Sequence, residues 1–148
     1  MKRLAVFIDG DCPMCVAGAV RLWQIDRGKS VVFRTLHDPP AAEALPERLR
    51  REAPRSMIAR MPDGTWRVGY FAWCEILSAI RPTRPLGHVM SWPVFYGIGP
   101  RIYRWVAAHR HVVSRILHLP SPCDPDGVCR LDAAHGSAAA LQTLFGKP

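Results

Sequence analysis

The stretch Leu4-Ala5-Val6-Phe7-Ile8-Asp9-Gly10-Asp11-Cys12-Pro13-Met14-Cys15 decides how the rest of the chain is read. Its apolar run has the length and composition of a buried strand, and Asp9-Gly10-Asp11 is the turn that ends it. Pro13 suits the first helical position, where its missing N–H costs nothing and its fixed φ is already helical. Cys12 is then the N-cap, and Cys15 sits one turn further along the same helix face. With about 1.5 Å of rise per residue, helical residues three apart have Cα atoms about 5 Å apart, a separation that a disulfide can span. A C-x-x-C pair between a strand and a helix is a setting for reversible thiol chemistry.

Downstream, Val16, Ala19, Val20 and Trp23 keep the i, i+3, i+4, i+7 spacing of an amphipathic helix, with Gly28 as its expected stop. Residues 31–36, Val-Val-Phe-Arg-Thr-Leu, are β-branched and aromatic and predict a second strand. A helix between two strands makes a βαβ unit, so these strands should be parallel with a right-handed crossover. A loop at His37-Asp38-Pro39-Pro40 precedes a helix over 46–52 that carries Glu47, Arg48, Arg50 and Arg51 outward. Residues 56–61 and 65–68 flank Pro62-Asp63-Gly64 as a hairpin, and 70–80 form an apolar helix ending before Pro82. The expected fold class is α/β, in the order β-α-β-α-β-β-α, with additional C-terminal helices.

Residues 1–81 would hold this core, and 82–119 a helical extension packed on or beside it. Within the extension, 81–87 read as a linker with two prolines, and a helix is expected over 101–119, starting after Gly99-Pro100. Its apolar face would be Ile102, Trp105, Val106, Val112, Val113 and Ile116, with Arg101, Arg104, His111, Arg115 and His118 on the other. The tail, 120–148, is rich in Pro, Gly and Asp and then in Ala, and is expected to be loosely ordered.

A chain of 148 residues is sized for one domain with a hydrophobic core. Its net charge of +8 is spread without a block of like charges, which favours a solvated basic surface over a nucleic-acid site. The apolar run after Met1-Lys2-Arg3 stops at Asp9, too soon for a signal peptide, and no stretch is long enough to span a membrane. The expected location is the cytoplasm. There, five cysteines point to redox, metal or packing roles before a static disulfide framework.

Asp9-Gly10-Asp11-Cys12-Pro13-Met14-Cys15 resembles the signature of the DCC family of predicted thiol-disulfide oxidoreductases, whose fold is thioredoxin-like. Val68-Gly69-x-x-Ala72 and Tyr103-Arg104-Trp105-Val106-Ala107-Ala108-His109-Arg110 are similar to two further stretches of that family, so the likeness covers about residues 4–111. It implies a redox role for Cys12 and Cys15; a protein or small-molecule thiol or disulfide is the expected substrate, and no cofactor is expected. Thioredoxins place a cis-proline before the third core strand; here Arg55-Ser56 stands in its place, with Pro54 slightly early.

Disulfide exchange needs an accessible thiolate and a second thiol to resolve the mixed disulfide. Cys12, at an exposed helix start, is the expected attacker, and Cys15 the more buried resolver. Asp9 and Asp11 flank the attacker with no Lys, Arg or His beside it, so a mildly reducing pair is expected. Two other functions compete. One is a scaffold that docks a partner through its basic C-terminal helix; the other is a zinc-stabilised domain using Cys12, Cys15, Cys123 and Cys129. The C-x5-C spacing of the last two is wide for a zinc knuckle, and they can also pair with each other or remain spare thiols. Cys74 lies on the apolar helix and belongs to the core, while His37, His109 and His111 are expected on the surface or in loops.

Overall fold

β1 (Leu4–Ile8) is buried along its whole length, because it is a central strand with helices over both faces. The structure is a computed structural model, which describes residues 3–36 and 42–116. β1 pairs in parallel with β2 (Val31–Thr35), from Leu4 opposite Val31 to Ile8 opposite Thr35. On its other side it runs antiparallel to β3 (Ile58–Arg60), which forms a hairpin with β4 (Trp66–Val68). The sheet order is β2-β1-β3-β4. Within the hairpin, Gly64 takes a φ of +90°, which its lack of a Cβ permits.

Alternation along β1 divides the core. Leu4, Val6 and Ile8 face α1 (Pro13–Ile25) and α3 (Tyr70–Ala79), through Val16, Ala19, Ala72 and Ile76. Ala5 and Phe7 face the opposite layer, where Leu45 and Ala53 bracket α2 (Glu47–Glu52). This helix-sheet-helix stack, with one parallel and two antiparallel pairings, is thioredoxin-like and follows the expected β-α-β-α-β-β-α order.

Three boundaries differ from the sequence expectation. The first helix is stopped by Asp26, whose carboxylate accepts the Val31 N–H at 2.9 Å, and the left-handed residue after it is Lys29, not Gly28. The expected 81–87 linker is a 3-10 turn (Arg81–Thr83) followed by α4 (Arg84–Met90). Its prolines start these helices instead of breaking one. Gly87 lets α4 lie against α3, since a Cβ there would come within 2.4 Å of Ser78 Oγ.

The last helix, α5 (Phe95–Ile116), begins before Gly99-Pro100 and carries Pro100 inside it. An internal proline costs a helix about 3 kcal/mol. Packing of the preceding turn offsets that cost: Tyr96 meets Phe71 edge-on, and Gly99 closes on Tyr70, where a Cβ would lie 2.2 Å from the ring. The expected apolar face of α5 is not a single buried stripe. Ile102, Trp105, Val112 and Ile116 are exposed, whereas Gly99 and Ser114 are buried and Tyr103, Val106 and Arg110 partly so. His37, Asp38, His118 and the 120–148 tail lie outside the described residues.

Candidate active site

β1 ends at Ile8, and the turn that follows returns the chain to start α1 beneath it, with Pro13 in the first turn and Cys12 as N-cap. Cys12 Sγ accepts the Cys15 backbone N–H at 3.3 Å and the Cys15 thiol at 2.7 Å. Both cysteines are free thiols. Capping turns the Cys12 sulfur inward over the first helical turn. Its exposure is accordingly 0%, and Cys15 is the partly exposed member. The expected exposed Cys12 and buried Cys15 are thus found in reverse.

The two thiols share their environment unequally. The proton offered by Cys15 is the largest influence that lowers Cys12, from an ordinary value near 9 to about 6. Burial opposes this, the Cys15 N–H and Arg110 support it, and Asp9 opposes it weakly. Cys15 is pushed strongly upward, first because its proton is held against Cys12, then by burial and by the charge on Cys12.

Arg110 corrects the expectation that no cation stands beside the pair. From α5 its guanidinium reaches Asp9 Oδ2 at 2.9 Å and lies 3.8 Å from Cys15 Sγ, 95 positions away in the chain. It also donates to the Pro54 carbonyl, which ties α5 to the segment before β3. Side-chain exposures of 12% for Arg110 and 14% for Asp9 make this a largely buried ion pair, weakly screened by solvent. Asp11 is exposed, and its N–H donates to Asp9 Oδ1 at 3.0 Å, so one acid holds the other in place.

Two turns before Arg110 on the helix's inner side, Tyr103 Oη accepts the Met57 N–H at 3.0 Å. Its ring packs on Gly69, whose φ of +61° starts α3 and whose missing Cβ leaves the room. Burial holds the Tyr103 hydroxyl above its ordinary value. Sequence reasoning missed both Tyr103 and Arg110 as site residues. The inner spacing Tyr103, Val106, Ala107, Arg110, Ser114 was there to find, but the stronger apolar signal of the outer side masked it.

Between α1, α3 and α5 lies an apolar cavity of about 570 Å³. Cys15, Asp9 and Arg110 form its reactive end; Met14, Gly18, Trp73 and Ile102 are among its walls. Ser56 lies on the wall where the sequence comparison would place a cis-proline, and no cis peptide occurs among the described residues. Cys74 is buried on α3, as expected, and burial raises its thiol. No group of three potential metal ligands occurs among the described residues; Cys123 and Cys129 lie outside them.

A thioredoxin-like sheet with two thiols in contact at a helix start, one of them held anionic near neutral pH, defines the class of dithiol redox proteins. The chain matches the DCC1-like thiol-disulfide oxidoreductase family over residues 6–116, and it belongs to that family. No curated protein and no solved structure matches it. The protein is therefore an oxidoreductase acting on thiols and disulfides. The stretches Asp9–Cys15, Val68–Ala72 and Tyr103–Arg110, far apart in sequence, meet here: Arg110 on Asp9, and Tyr103 on Gly69.

Proposed function

We propose that Cys12 and Cys15 carry the electrons, cycling between a dithiol and a Cys12–Cys15 disulfide, with Asp9, Asp11, Pro13 and Arg110 positioning them. The observation that carries this reading is the 2.7 Å contact between the two sulfurs at the N-cap of α1. In the reduced state the pair holds one proton between two sulfurs, with the charge resting on Cys12. A thiolate of pKa about 6 falls between thioredoxin, at about 7, and the strongest disulfide oxidants, at about 3.5. This supports a pair of intermediate to mildly reducing potential. A reducing, cytoplasmic setting belongs to the same reading, supported by Cys74, a buried free thiol outside the pair. No described helix is long and apolar enough to cross a membrane.

Equilibration in graded mixtures of reduced and oxidised dithiothreitol, followed by peptide mapping, tests the assignment. The expected product is a reversible Cys12–Cys15 disulfide, with disulfide-reducing activity lost in Cys12→Ser and Cys15→Ser. Retained activity in both variants contradicts it.

The outer side of α5 supports a second role. Ile98, Ile102, Trp105 and Ile116 are exposed beside Arg101, Arg104 and Arg115, the composition of a helix that rests on an anionic lipid surface. Co-sedimentation with anionic vesicles and not with neutral ones is the expected result; absence of binding to both removes this role.

A further inference from the structure

The dithiol chemistry uses one end of the cavity between α1, α3 and α5 and leaves the rest of it without a role. Its volume of about 570 Å³ lies in the ordinary range for small-molecule sites, roughly 300–1,000 Å³. α5 forms a wall in every turn from Phe95 to Arg110, about 22 Å of helix. Spread over that length, the volume corresponds to a mean cross-section of about 25 Å². A slot of that shape has room for one extended hydrocarbon chain.

The interior offers a ligand little polar chemistry. The Tyr70 hydroxyl donates to the Met90 carbonyl at 2.7 Å, and the charge of Arg110 is matched by Asp9. An anionic group placed there would meet the Asp9 carboxylate, so a charged head belongs outside. Ile98 and Ile102 are both cavity walls and exposed residues, which makes their side the mouth. Cations stand beside it. Arg21 follows Gly18 by one turn on the same side of α1, Arg101 adjoins Ile102, and both are exposed.

Gly18 supplies a second observation. It lies in the middle of α1, where glycine weakens a helix relative to alanine. Neither a positive φ nor a close neighbour accounts for it, because a Cβ at this position would meet nothing within 4 Å. The room it leaves belongs to the cavity.

We propose that the cavity binds a long-chain fatty acid, its hydrocarbon chain laid along α5 and its carboxylate at the mouth beside Arg21 and Arg101. The site is distinct from the outer side of α5 and goes beyond the dithiol reading, on which it does not depend.

cis-Parinaric acid, an unbranched fatty acid that fluoresces in apolar surroundings, tests this with the full-length reduced protein, below the concentration at which the probe forms micelles. Saturable binding of one probe per chain is expected. Palmitate should displace it, and octanoate should do so at least about 100-fold more weakly, because it buries fewer methylenes. Gly18→Leu, which fills the slot and improves the helix, should weaken binding by about 10-fold or more without lowering the melting temperature. Ile102→Glu puts a carboxylate at the mouth from an exposed position that the fold tolerates, and it should weaken binding to a similar degree. Trp105→Ser, which changes the outer side and no cavity wall, should bind as the wild type does. Absence of saturable binding, octanoate as effective as palmitate, wild-type affinity in Gly18→Leu or Ile102→Glu, or loss of binding in Trp105→Ser overturns the proposal.

Discussion

Asp9–Cys15 and Tyr103–Arg110 supply two halves of one site, and they are built by different means. The first half is local: a strand end, a turn, a proline and an N-cap place two sulfurs in contact with help only from near neighbours. The second half is remote. Arg110 reaches Asp9 across 101 positions of sequence, because α5 is held against the start of α3 by Tyr103 on Gly69 and Gly99 on Tyr70. Local geometry creates the dithiol, and the remote helix neutralises the acid beside it and encloses the cavity.

The largest effects should come from the local half. Cys12→Ser and Cys15→Ser should each bring catalysed disulfide reduction to the uncatalysed background in a steady-state assay. Arg110→Met strikes the link between the halves. It leaves the Asp9 carboxylate mostly buried without its cation, which should destabilise the fold by about 2–4 kcal/mol in urea denaturation. The same variant should raise the Cys12 pKa, because the lowering influence of Arg110 is lost while the raising influence of Asp9 remains. Adding Asp9→Asn should restore part of both losses; no restoration would mean the two residues act separately.

Further from the sulfurs the effects should shrink. Tyr103→Phe leaves the Met57 N–H without its acceptor and should cost about 1–2 kcal/mol. On the outer side of α5, Trp105, 61% exposed, is changed with little consequence: Trp105→Ser should shift stability by no more than about 0.5 kcal/mol and leave turnover unchanged. A large loss in that variant would mean that the outer side belongs to the site.

The same contrast explains what the sequence disclosed. β1, α1, the hairpin and the C-x-x-C pair were legible because each depends on residues close in the chain. The unbroken apolar run of β1 and Pro13 beside Cys12 carry their own geometry. The start of α5 was not legible, since Pro100 reads as a helix boundary until Tyr70 is known to receive Gly99. Nor was Arg110, which on a helical wheel is one more solvated arginine until the sheet brings Asp9 to it. The exposure of the two thiols was reversed for a finer reason. An N-cap at a helix start suggests access, yet the hydrogen bond that makes Cys12 a cap draws its sulfur inward.

The central claim is that the resting charge of the reduced pair sits on Cys12 and is held there by Cys15 and Arg110. Thiolate absorbance followed against pH tests it most directly, in the reduced wild type and in Cys12→Ser. The expected result is a titration at about 6 in the wild type that is absent from Cys12→Ser. A single transition near the ordinary thiol value of 9, the same in both proteins, would contradict it.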